Sequence, residues 1–126
     1  EYCPMGVIVR DCKKDKRVAK CKESIYALRN SKGDEFRVSQ DIFCRSTIYN
    51  SNVTCMLDNL YELHEIGINV LRLDFTLEDK GTVKEVIEAY QEVLSNDYKL
   101  GTKATKLYNK LDEKGTTAGH YYKGVE

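Results

Sequence analysis

From about residue 47 to residue 95 the sequence alternates strand, helix, strand, helix, and this rhythm limits the possible fold more than any other feature. Thr47-Ile-Tyr-Asn50 is a short β-forming run. Met56, Leu57, Leu60, Leu63 and Ile66 then recur at a spacing that lines one helix face. Gly67 supplies a stop, because glycine tolerates the left-handed cap conformation. Ile68 to Phe75 predicts a strand, with Leu71, Leu73 and Phe75 on one side and Arg72 and Asp74 on the other. Thr82 and Glu85 have the spacing of a capping box, and Val83, Val86, Ile87, Tyr90, Val93 and Leu94 form the apolar stripe of a second helix. Repeated βα units build parallel sheets and barrels, and two such units cannot close a barrel. The apolar side of the second strand therefore needs cover, either from further strands or from another copy of the chain.

The flanking segments have their own patterns. Ser24 to Arg29 and Glu35 to Ser39 are β-forming runs either side of Asn30-Ser-Lys-Gly33, which predicts a β-hairpin. A further helix is expected from about Lys103 to Glu113, with Ala104, Leu107, Tyr108 and Leu111 on one face and Gly115 behind it. Residues 116–126, with His120, Tyr121 and Tyr122, read as a closing loop. The expected organisation is one compact α/β domain. A cysteine-rich segment with a hairpin spans residues 1–46, a βαβα segment 47–96, and a helix and closing loop 97–126.

Composition narrows the class. The 126 residues are 41% hydrophobic and 32% charged, outside the range of disordered chains, and no apolar run approaches the roughly 18 residues of a membrane span. With 20 basic and 20 acidic residues, no global attraction to nucleic acid or membrane is indicated. The charge is uneven, however. Arg10, Lys13, Lys14, Lys16, Arg17, Lys20 and Lys22 are interrupted only by Asp11 and Asp15 among acidic residues. This stretch is either a solvated loop or a patch for phosphate groups, such as those of RNA. The chain opens on Glu1-Tyr-Cys-Pro rather than on a basic-then-apolar leader or a Met, which reads as a segment of a longer cytoplasmic protein.

Five cysteines is an odd number, unlike most secreted disulfide scaffolds, so grouped thiols point to metal binding or catalysis in a reducing compartment. Cys3, Cys12, Cys21 and Cys44 are spaced Cys-x8-Cys-x8-Cys-x22-Cys, without the tight knuckle of a zinc ribbon. Four thiolates suit zinc or an iron–sulfur cluster equally, and neighbouring Lys and Arg lower thiol pKa values. The alternative is four small packed residues and no metal. Cys55 stands apart as a packed thiol, and His64, between Glu62 and Glu65, as a surface residue. The sequence has no Gly-x-Ser-x-Gly elbow, no His-Glu-x-x-His zinc motif and no phosphate-binding glycine loop.

Taken in order, several segments resemble peptidase family U32, the collagenase-like proteases. Glu1-Tyr-Cys-Pro-Met-Gly6 resembles the family signature, although Val9 stands where a Cys is usual. Cys44-Arg-Ser-Thr-Ile-Tyr-Asn-Ser51 is similar to the start of the family's penultimate barrel strand. Leu57 to Asp74 resembles its helix–Gly–strand unit, and Gly119-His-Tyr-Tyr-Lys-Gly124 its closing motif. The resemblance implies the last βα units of a TIM-like barrel with a cysteine-bearing hairpin insertion, inactive without the remainder of the parent barrel. It implies a four-iron–four-sulfur cluster on Cys3, Cys12, Cys21 and Cys44, with zinc or no metal as alternatives in this chain alone. Peptide hydrolysis, or hydroxylation of RNA or a small aromatic ring, follows as the family's range of activities. A metal-stabilised module binding RNA or protein, through a patch of Lys13, Lys14, Lys16, Arg17 and Lys20, is the reading from a different class. In the barrel, Arg72 and Asp74 would face the interior near a strand's C-terminal end, where barrel enzymes keep their chemistry. His120, Arg45 and Asn50 are further catalytic candidates. Open sheet edges imply self-association.

Overall fold

The computed structural model describes residues 26–41 and 45–119. The chain divides after Ser51 into two compact units, and the expected boundary between residues 46 and 47 falls inside a strand of the first.

In the first unit, β1 (Tyr26–Arg29) pairs antiparallel with β2 (Glu35–Gln40), from Tyr26 opposite Val38 to Arg29 opposite Glu35. The hairpin forms where the sequence predicts it. Asn30 organises the turn: its side-chain oxygen accepts from the Lys32 and Asp34 amides at 2.9 and 3.0 Å, while Gly33 adopts φ 93°. An asparagine that satisfies the backbone two residues on, followed by a residue free to turn left-handed, is a strong turn signal. Arg29 and Glu35 close the hairpin with an ion pair. β3 (Ser46–Ile48) then pairs antiparallel with β2, with Ile48 opposite Val38. The run predicted at Thr47–Asn50 is thus a strand, but the third strand of a meander rather than a strand of a parallel barrel. The cause is local. Tyr49 N–H donates to the Arg37 carbonyl at 2.8 Å, and the Tyr49 and Ser39 hydroxyls meet at 2.9 Å, so the run is held against the hairpin.

The second unit holds the main core. β4 (Val53–Thr54) pairs in parallel with β5 (Thr116–Thr117), a strand in the segment expected to be only a loop. A 3-10 turn at Leu57–Asn59 runs into α1 (Leu60–Glu65). The Gly67 amide donates to the His64 carbonyl and the Ile68 amide to the Leu63 carbonyl, with Gly67 at φ 87°, which is a Schellman stop. The helix therefore ends before Ile66, which is 74% exposed rather than on the apolar face. α2 (Lys80–Ser95) begins at Asp79, whose carboxylate accepts from the Gly81 and Thr82 amides at 2.7 and 3.0 Å and from the Thr82 hydroxyl at 3.0 Å. The helix thus starts earlier than the expected Thr82–Glu85 box, because Asp79 is the stronger acceptor and Thr82 becomes its donor.

α3 (Thr102–Asp112) runs back along α2. Glu92, Glu88 and Glu85 on α2 meet, in turn, the Ala104 amide at 2.8 Å, Lys103 at 2.8 Å and Lys110 at 2.6 Å on α3. Gly101 at the start of α3 has no capping side chain, so Glu92 caps α3 from the neighbouring helix. The core joins Cys55, Met56, Leu57, Leu60 and Leu63 to Ala89 and Val93 of α2 and Ala104 and Leu107 of α3. The stripe of α2 is narrower than its sequence implies, since Ile87 and Leu94 are 37% and 47% exposed.

One expectation is corrected here. Ile68 to Phe75 belongs to no sheet: β4 takes β5 as its neighbour, and no described residue pairs with the backbone of Asn69 to Phe75. Among the described residues the fold is mixed α/β, with two small sheets, three helices and no closed barrel.

A Cβ at residue 101 would land on the Glu92 carboxylate and displace it from the Ala104 amide. Gly101→Ala is expected to lower stability by about 1 kcal/mol in urea unfolding, the typical worth of a helix cap. The loss should largely vanish in a Glu92→Ala background, where the cap is already gone. Leu57→Ala, at a side chain 1% exposed, should cost roughly 2–5 kcal/mol.

Candidate functional site

Where β4 ends, the chain enters the core at Cys55 and leaves it at Asp58, and two tyrosines from different helices converge on this stretch. The Tyr90 hydroxyl of α2 accepts from the Met56 amide at 3.3 Å and also bonds the Cys55 side chain. The Tyr108 hydroxyl of α3 donates to the Asp58 carboxylate at 3.3 Å. A Tyr within an apolar stripe needs a partner for its hydroxyl, and here that partner is the backbone leaving the parallel strand pair. The sequence places Tyr90 on the right face; the polar use of its tip is what periodicity misses.

Burial and the Asp58 carboxylate keep the protons on the thiol and the two phenols. Burial pushes the Cys55 thiol above its ordinary 9.0, and Asp58 raises it further against the opposing Leu57 amide. Burial likewise raises Tyr90, while the nearby Asp58 carboxylate is the leading cause for Tyr108. A protonated, buried thiol is a weak nucleophile. The cluster therefore offers hydrogen-bond donors at the end of a parallel strand pair rather than an activated nucleophile. Cys55 is a packed free thiol, as the sequence indicates.

The other candidates are dispersed. Arg72 and Asp74 do form an ion pair, with Arg72 Nε 3.1 Å from the carboxylate, but its side chains are 84% and 68% exposed. They line no barrel interior among the described residues. Arg45, in the first unit, holds the β2–β3 connection through Asp41, with Nε 2.6 Å from the carboxylate and its amide also bound to it. Asn50 is exposed in the same unit. His64 is exposed on α1 and stacks on Tyr98 with ring centroids 4.6 Å apart, while Tyr61 meets Tyr98 edge-on at 6.3 Å. Tyr98 holds this position from a left-handed backbone, φ 58°, just beyond the end of α2. Cys3, Cys12, Cys21, Cys44, His120, Glu1, Gly6 and the basic stretch with Lys13, Lys14, Lys16, Arg17 and Lys20 lie outside the described residues. Among the described residues, no group of three or more His, Cys, Asp and Glu is placed to hold a metal, and no helix is long and apolar enough to cross a membrane.

The family model for peptidase family U32 matches residues 7–125, nearly the whole sequence, and the chain belongs to that family. The matched span begins just after Glu1–Gly6 and contains Cys12, Cys21, Cys44, Arg72, Asp74 and His120. Neither the curated proteins nor the solved structures include a match to it.

The raised Cys55 and Tyr90 values set a pH dependence. A group that holds its proton more tightly when folded stabilises the fold fully below its unfolded pKa, and that contribution is lost as pH rises through the folded value. Folding stability is expected to fall as pH rises above 9.0, the ordinary thiol value, and Cys55→Ala should flatten the first part of that decline in urea titrations. Tyr90→Phe, which strips the Met56 amide of its acceptor, should cost about 1 kcal/mol near neutral pH.

Proposed function

We propose that this chain carries the last βα units and the cysteine-bearing hairpin of a U32 barrel enzyme, and that it has no catalytic activity without the remaining strands. The observation that carries this reading is the family match over residues 7–125. The segment from Asn69 to Phe75 supports it, because an open row of backbone donors and acceptors is what an adjoining barrel strand would fill. In that barrel Arg72 would supply a fixed cation and Asp74 an acceptor at the mouth, with His120, Arg45 and Asn50 as further contributors. By the family's name the substrate would be a peptide.

Cys3, Cys12, Cys21 and Cys44 fit an iron–sulfur cluster by donor chemistry: four soft thiols, one for each iron of a four-iron–four-sulfur cluster, in a basic stretch that favours thiolates. Cys55 does not compete, since it is buried in the core with its proton held. Such a cluster, when bound, supplies electron transfer. This favours a second reading, hydroxylation of RNA or a small aromatic ring, in which Lys13, Lys14, Lys16, Arg17 and Lys20 would attract phosphate. A reducing, cytoplasmic setting accords with free thiols. The protein's own part is to hold the four thiols together, and the turn set by Asn30 and Gly33 lies between the third and fourth of them in sequence.

Anaerobic purification with iron, sulfide and zinc analysis, comparing wild type with Cys21→Ser, tests the assignment. About four irons per chain, lost in the variant, is expected. A metal-free chain with an unchanged circular dichroism spectrum would return the thiols to packing.

A further inference from the structure

Just beyond α2 the backbone enters a conformation that most side chains avoid. Asp97 and Tyr98, at φ 53° and 58°, are the two non-glycine residues with positive φ among the described residues. Aspartate visits this region readily, but a bulky tyrosine there is an outlier that persists only where its surroundings hold it. Glycine or asparagine is the usual choice just after a helix. Backbone bonds do not explain the exception. The Tyr98 amide donates to the Val93 carbonyl at 3.0 Å, a bond that glycine would make equally well. What glycine lacks is the ring. That ring packs against the core, stacks on His64 with the planes 20° apart and meets Tyr61 edge-on.

Both ring contacts fall on α1, whose six residues are too few for a helix to persist by propensity alone. Leu60 and Leu63 bury one face of it in the core. Tyr61 and His64, three residues apart and so neighbours on the helix surface, carry the face that meets Tyr98. The His64 carbonyl in turn accepts from the Gly67 amide in the stop that ends the helix. We infer that Tyr98 is a positioning residue: its ring clasps the end of α1, fixes the stop at Gly67, and so sets where the segment bearing Arg72 and Asp74 begins. The left-handed backbone at residues 97 and 98 is offset by the aromatic contacts it makes possible, each favourable beyond the area it buries. All the groups of the clasp belong to the second unit. That the placed segment serves catalysis rests on the barrel reading above; the clasp does not.

Nitrogen-15 relaxation tests the inference, read at the Gly67 and Ile68 amides and, for comparison, at Glu113 and Lys114, whose amides close α3. In wild type Gly67 and Ile68 should have order parameters near about 0.85, the value of rigid backbone. Y98N suits the left-handed conformation but removes the ring, and should lower both toward about 0.6 while leaving Glu113 and Lys114 unchanged. H64A, at an exposed position outside the core, should act in the same direction, and Y98F, which keeps the ring, should match wild type. Adding H64A to Y98N should lower the values no further, because the stack is already gone. Order parameters already below about 0.6 in wild type would overturn the inference. So would no fall in Y98N or H64A, a fall in Y98F, or an equal fall at Glu113 and Lys114, which would reduce Tyr98 to a general contributor to packing. None of these outcomes depends on iron content, by which the cluster of the barrel enzyme is judged, so the two readings fail separately.

Discussion

The packing of α2 against α3 over a shared apolar core is what the second unit depends on. Ala89 of α2 and Ala104 of α3 have no exposed surface and lie in one core with Leu57 and Leu60. Each fully buried Leu is worth about 1.5–3 kcal/mol. Around this dry seam the glutamates of α2 serve different ends. Glu85 and Glu88 form ion pairs with Lys110 and Lys103, exposed enough to add little. Glu92 instead completes a helix terminus that has no cap of its own.

That seam also decides where chemistry could sit. Because α2 is fixed by Ala89 and Val93, the Tyr90 hydroxyl is delivered to the Met56 amide, and the chain leaving β4 is pinned one residue beyond Cys55. The thiol is thereby enclosed and neutral. Membership of the U32 family rests on the sequence as a whole, whereas the described side chains provide the frame for a site more than the site itself.

Local signals in the sequence proved readable where they settle themselves within a few residues. The hairpin about Asn30, the helix stop at Gly67 and the face of α3 all depend on neighbours in the chain, and all appear as expected. The expectations that changed depend on distant partners. Ile68 to Phe75 alternates as a strand should, yet a strand exists only where another completes its ladder, and β4 is taken by β5. The pairing of β5 was hidden because two threonines carry no periodicity. Of the candidate site residues, Arg72 and Asp74 do meet, in a pair whose exposure no local pattern encodes.

The three-stranded sheet of the first unit places one side chain, Val38, fully inside among its described residues, against nine in the second unit's core. Among the described residues that difference predicts unequal hydrogen exchange: amides of β1 and β2 should exchange through small local openings, whereas those of α2 wait for a wider opening of their own unit.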